Sequence, residues 1–169
     1  MYNKLENIQL LYRSSVQKGR TDMSEKKIKF KSNEHEEFYH ENIAKCKIQD
    51  SYHKALVYCL GIGDDTRRNL RRIYDFQTGC VKPECLREGW QTSGSGRIVR
   101  MAFNLYCDGT PGIDKNSSSE EQLKEMKLFT VSELFCTGDA RWFWEAIKLR
   151  YPEYCYPVDM EAILERLWK

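Results

Sequence analysis

From Asn33 onward apolar residues recur at helical spacing rather than at alternate positions, and the pattern breaks repeatedly at Asp, Ser, Gly and Pro. His35, Phe38, Tyr39, Ile43 and Cys46 share one helix face, and Asn33 stands three residues before Glu36, the spacing of a capping box. Asp50-Ser51 caps a second helix, Tyr52 to Leu60, which Gly61 can stop. Its Ala55, Leu56, Val57, Cys59 and Leu60 leave almost no polar face, so this helix belongs at the centre. Asp64-Asp65 caps a third helix, Thr66 to about Phe76, with Leu70, Ile73 and Tyr74 inward and its arginines outward. Pro83 suits the first turn of a short helix, Glu84 to Glu88, ended by Gly89. A loop, Trp90 to Gly96, leads into a strongly apolar helix, Arg97 to Cys107. After a Gly, Pro and Ser loop from Asp108 to Glu120, short helices are expected over Glu121–Lys127, Val131–Phe135 (capped by Thr130) and Ala140–Arg150 (capped by Asp139). Tyr151-Pro152 ends the third of these, and Asp159 can cap a last helix carrying Met160, Ile163, Leu164, Leu167 and Trp168. Lys27 to Lys31 alternates apolar and charged residues, as a short strand or an extended arm does. The fold expected is mainly α: a single compact domain of about seven short helices with at most one short N-terminal strand.

Composition narrows the class. The chain has 169 residues, 41% hydrophobic and 31% charged, enough to bury a core and too apolar and charge-balanced for disorder. No apolar run approaches the ~18 residues of a membrane span, and the start shows no apolar signal segment, so the expected location is cytoplasmic. The net charge of +2 falls wholly within residues 1–22, where Lys4, Arg13, Lys18 and Arg20 face Glu6 and Asp22. Residues 23–169, the expected helical domain, are therefore neutral. A second start-like sequence, Met23-Ser24-Glu25-Lys26-Lys27, follows Gly19-Arg20, whose codons can form a purine run resembling a ribosome-binding site. Residues 1–22 are thus read as a non-native extension, the alternative being an N-terminal helix carrying Leu5, Ile8, Leu10 and Leu11.

The residues that usually carry chemistry form no recognisable set. Cys46, Cys59, Cys80, Cys85, Cys107, Cys136 and Cys155 are odd in number and contain no C-x-x-C, so reduced, mostly buried thiols are expected. Cys80 and Cys85 have no second close pair to complete a zinc site. His35 and His40 are five apart, about 140° around a helix, and so cannot share a zinc as residues four apart would. His53 reads as a satisfied histidine at a helix start. There is no Ser/His/Asp set and no pair of acids at catalytic spacing, so no catalytic residue, metal or cofactor is assigned and the balance leans away from an enzyme.

Two segments and one aromatic run invite a binding role. Leu60 to Tyr74 resembles the turn and recognition helix of a helix-turn-helix, with Gly61 at the turn and Arg67, Arg68, Arg71 and Arg72 able to meet phosphates or guanine edges. Against this, Arg67 occupies a usually aliphatic position, the domain is neutral, and the arginines can pair with Asp64, Asp65 and Asp75. Thr92, Ser93, Gly94, Ser95, Gly96 and Arg97, with Arg100 one turn on, form a small-residue loop before a helix, able to hold a phosphate or carboxylate on converging N–H groups. The alternative is a connector ending in a Ser cap, and no P-loop Lys follows. Trp90 is expected to fold inward beside it. Trp142, Phe143 and Trp144 cannot all face one core, so one Trp is expected at the surface, where Trp often anchors an interface.

The stretches Phe30–Tyr39, Asp50–Leu56, Gly89–Gly94, Ala102–Tyr106 and Glu145–Cys155 together resemble a domain-of-unknown-function family of clostridia-type bacteria, often carried on mobile elements. The likeness runs from about Phe30 to Cys155 and implies no activity and no catalytic residue. The function expected first is a non-enzymatic interaction module with a protein partner, in keeping with accessory cargo of a mobile element. A helix-turn-helix DNA binder is the alternative, and a small-anion-binding protein or enzyme using Thr92–Arg97 a further one.

Overall fold

The computed structural model describes residues 28–111, 114 and 116–155. Residues 1–22, the start at Met23 and the helix expected from Asp159 lie outside the described residues. Residues 29–150 form one compact body, and the single turn Pro152–Cys155 (α9) belongs to a separate unit. The body is helical: α1 Asn33–Ile43, α2 Ser51–Gly61, α3 Asp64–Arg68, α4 Leu70–Ile73, α5 Ser93–Cys107, α6 Ser119–Lys127, α7 Val131–Phe135 and α8 Ala140–Arg150, with one 3-10 turn, Pro83–Arg87. Among the described residues the only sheet is a hairpin of β1 (Tyr74–Asp75) and β2 (Cys80–Val81), antiparallel, with Tyr74 opposite Val81. The mainly α expectation therefore holds, but the strand pairing lies in mid-chain. Residues Lys29 to Lys31 lead into α1 as an arm without regular secondary structure, with a bend at Lys31.

Helix α2 is the axis of the body. Eight of its residues are buried, and it packs most extensively on α5 and α8, then on α1. Asp50 caps it by accepting from His53 N–H, and Ala55, Leu56, Tyr58, Cys59 and Leu60 are fully enclosed. Burial pushes the Cys59 thiol far up, so it stays protonated. Helix α1 is capped by Ser32, one residue before the Asn33 that the spacing favours, because the Ser32 hydroxyl reaches His35 N–H. The arm then folds over α1 and α2: the Phe30 ring lies 5.2 Å from His35, 5.4 Å from Tyr39 and 5.6 Å from Tyr58.

His35 is completely buried at the α1–α2 contact. Its Nδ1 accepts from Lys31 N–H at 3.2 Å, so the ring proton sits on Nε2, 2.8 Å from the Tyr58 carbonyl. Burial holds this imidazole neutral, down to about 4. The ring lies so close to α2 that a Cβ on Gly61 would stand 2.4 Å from His35 Cδ2. Gly61 is the last residue of α2, and its missing side chain serves this close packing.

The third helix departs most from expectation. It breaks at Asn69, whose φ of −102° and ψ of 16° leave the helical region while its side chain donates to the Asp65 carbonyl at 2.9 Å. Beyond the break the chain makes one turn, α4, and Tyr74 already enters the hairpin. The hairpin turn closes on Gly79, whose φ of +73° suits glycine, with Asp75 accepting from Gln77 N–H at 2.8 Å.

The buried histidine and its glycine neighbour can each be tested. Because His35 has its proton affinity lowered on folding, the unfolded chain binds more protons as pH falls below 6.5, so stability should drop with pH. Urea midpoints should show a loss of about 2 kcal/mol between pH 7 and pH 5, a slope that His35→Gln flattens. Gly61→Ala should destabilise by about 3 kcal/mol. In a double-mutant cycle with His35→Ala, thermal unfolding should recover more than about 1 kcal/mol of that as coupling.

Candidate functional site

The Thr92–Arg97 segment is the first turn of α5, not a loop. Thr92 Oγ1 accepts from Ser95 N–H at 3.1 Å, Ser95 Oγ accepts from Thr92 N–H at 2.7 Å, and Gly96 N–H already bonds the Thr92 carbonyl at 2.9 Å. The small residues are thus spent on a reciprocal cap, and helix begins at Ser93 instead of Arg97. Arg100 does lie against that turn, its Nη1 3.1 Å from where a Cβ on Gly96 would stand, but both arginines are engaged. Arg97 Nε donates to the Glu133 carbonyl at 3.0 Å, and Arg100 pairs with Glu125 at 3.0 Å, 5.8 Å from the Phe129 ring centre.

Gly94 and Ser95 do open onto a groove of about 770 Å³, between the starts of α1, α3 and α5. Lys31 and Arg67 line it against Glu34, Asp64, Asp65 and Asp139, so its walls carry more negative than positive charge. Both cations are engaged: Lys31 meets Asp139 at 2.8 Å, and Arg67 bonds Asp64 and, at 2.7 Å, the Gly61 carbonyl. The hydroxyl of Ser32 and its α1 neighbour Glu34 offset the helix start, and the Ser32 bond holds the Glu34 carboxyl below its usual range.

The four arginines of 67–72 line a second groove, of about 430 Å³, beside Phe38, Glu41 and Asn42. Arg68 pairs with Asp65 at 2.6 Å, and Arg72 with Glu88 at 2.7 Å rather than with Asp75. Arg67 is drawn inward, its side chain 19% exposed. A recognition helix needs several consecutive turns to present such residues to a groove of DNA, and the break at Asn69 divides these arginines between two short helices.

His53 is held on both sides. Its Nδ1 lies 2.7 Å from Asp50 Oδ1 and its Nε2 lies 3.2 Å from the Tyr106 oxygen, while the Tyr106 hydroxyl donates to the Gly79 carbonyl at 2.7 Å. The chain of bonds ties α2 to α5 and the hairpin. Among the described residues no buried side-chain nitrogen or oxygen lacks a partner, and no three His, Cys, Asp or Glu gather as a metal site. Cys46, Cys59 and Cys85 are buried, but Cys80, Cys107 and Cys136 are exposed, more than expected. None of the seven is in a disulfide.

The surface that composition does not reveal lies on α6 and the start of α7. Helix α6 has no buried residue. Gln122 and Glu125 turn toward the body, and Leu123 and Met126, one turn apart, turn away, 64% and 47% exposed. Val131 adds a third apolar side chain, 73% exposed. The one sequence signal is an amphipathic pattern with only two apolar positions, too few to reach a core. On α8, Phe143 is buried, Trp142 lies under the Arg141 guanidinium at 4.4 Å, and Trp144 is the exposed one. Trp90 is half-buried and bonds Glu88.

The class so defined is a mainly α domain in which, among the described residues, no buried side-chain nitrogen or oxygen lacks a partner and no helix is long and apolar enough to cross a membrane. The chain belongs to DUF6075, a family of unknown function whose model matches residues 25–162. That span is wider at both ends than the resemblance read from motifs. No curated protein and no solved structure matches the chain.

With Arg97 and Arg100 engaged and the first turn of α5 capped from within, phosphate has little to bind. Titrated against melting temperature, phosphate and sulfate should shift stability no more than chloride at matched ionic strength. An anion-specific rise that Arg97→Ala removes would restore the anion reading.

Proposed function

We propose that this domain is a non-enzymatic interaction module and that it binds a protein partner through α6 and the start of α7. The observation that supports this is the outward apolar pair Leu123 and Met126 on α6, a helix with no buried residue, with Val131 also exposed at the start of α7. Covering each of these side chains would return on the order of 1 kcal/mol, which a partner can supply where the described residues leave them open. The resemblance to a family carried on mobile elements fits an accessory role of this kind.

The triple change Leu123→Ser, Met126→Ser and Val131→Ser should leave the melting temperature within about 2 °C of the parent, measured at low protein concentration. Leu134→Ser, at a buried position of the neighbouring α7, should lower it by several times that. A photo-crosslinking residue at 126 in cells that make the protein should give a discrete protein adduct, lost in the Leu123→Ser background. A triple variant that melts more than about 5 °C lower would mean the chain covers this face itself, and the reading would fail.

A further inference from the structure

We infer that the partner on this face is a second copy of the chain, joined through antiparallel α6 helices; the inference rests on reading α6 as a binding face. A face that binds its own copy about a two-fold axis must be complementary to itself when reversed. Helix α6 meets that condition in shape and in charge. Leu123 and Met126 lie one turn apart on the outward side, so reversing one helix on another sets each Leu123 against the other copy's Met126.

The charges follow the same symmetry. Glu120 in the first turn and Lys127 in the last flank the Leu123–Met126 stripe on the same side, at opposite ends of the helix, while the Glu121 carboxylate is held by the Ser118 cap. Antiparallel pairing places the acidic end of each helix beside the basic end of the other, whereas parallel pairing would set acid on acid and base on base. Glu120 and Lys124 pair with each other at 2.8 Å, fully on the surface, so exchanging that partner for the other copy's forfeits little. Glu125, the residue on the body side, keeps its bond to Arg100 and anchors the helix while the outer face is engaged. The chain as a whole carries only +2, so two copies meet without strong net repulsion to overcome. Two exposed apolar side chains of α6 per copy make a small interface, and the dimer should be concentration-dependent rather than permanent.

Sedimentation equilibrium of the full chain over a wide concentration range tests this. The expected result is a reversible monomer–dimer equilibrium that weakens about five-fold or more as salt rises from roughly 50 to 500 mM. Leu123→Glu with Met126→Glu should shift the chain to monomer, and Trp144→Glu, on the exposed face of α8, should not. Thermal unfolding of each variant checks that it is folded, and the salt response of the parent needs no variant. A parent that stays monomeric, a dimer unaffected by the Leu123 and Met126 changes, or a dimer that tightens with salt would each overturn the proposal. If the parent is monomeric while the triple serine variant keeps its stability and the residue-126 crosslink captures a different protein, the face survives as a binding surface and only the second copy is excluded.

Discussion

Helix α2 buries eight of its eleven residues, so its neighbours must enclose it on every side. That demand is met at its far end by one close contact. The Tyr58 carbonyl is left open there because Ile62 N–H bonds Cys59 instead, and His35 donates to it from α1. For the imidazole to reach it, α1 must come so near that residue 61 can have no side chain. One histidine thus satisfies a helix end, fills the core and dictates the glycine opposite. It also places the arm that closes over it, since Lys31 N–H and Phe30 both take their positions from the His35 ring.

The same device recurs where other helices end. Arg150, at the last turn of α8, donates to the Leu105 carbonyl at 2.9 Å and meets Asp108 at 2.8 Å, 3.4 Å from the Tyr52 ring centre. Asp108 itself ends α5 with a φ of +51° and accepts from the Tyr52 hydroxyl. A guanidinium buried at 9% exposure is tolerable because its charge is paired and its N–H groups are used. With His53 held between Asp50 and Tyr106, these interior polar groups all serve to join helix ends. In the body these polar groups act as ties between elements, while the large apolar side chains left uncovered on α6, α7 and α8 lie at the surface.

Much of the architecture can be read from periodicity, because long apolar runs such as Ile98–Leu105 and the closed face of α2 permit one solution. Asp50 and Pro83 likewise mark starts that the structure keeps, since their roles depend only on nearby residues, whereas the Asp139 carboxylate, beside the start at Ala140, meets Lys31 from far along the chain. The departures share a cause. Gly61, Gly94 and Gly96 suggest backbone freedom, yet each is helical, and what decides Gly61 is a ring 26 residues earlier in the chain. Asn69 breaks the third helix through a side-chain bond that competes with the backbone, a choice that propensity alone leaves undecided. The arginine and glycine segments look like sites in the sequence because the partners of their arginines, among them Glu88, Glu125 and the Glu133 carbonyl, come near only when the chain is folded.

Helix α6 is legible in the sequence as an element but not as a face. A helix of nine residues is marginal alone, and most such helices in a folded domain persist because an apolar stripe is buried. Here the stabilising interactions lie elsewhere. Ser118 and Glu121 form a reciprocal cap, Glu120 and Lys124 pair across one turn, and Glu125 is tied to Arg100 on the body side. Phe129, just beyond the helix, is buried beside that same arginine. These bonds hold the helix formed and oriented without using Leu123 or Met126. An apolar stripe that the fold supports yet does not cover is available to another surface in a way that a core stripe never is, and its orientation is already fixed before any partner arrives.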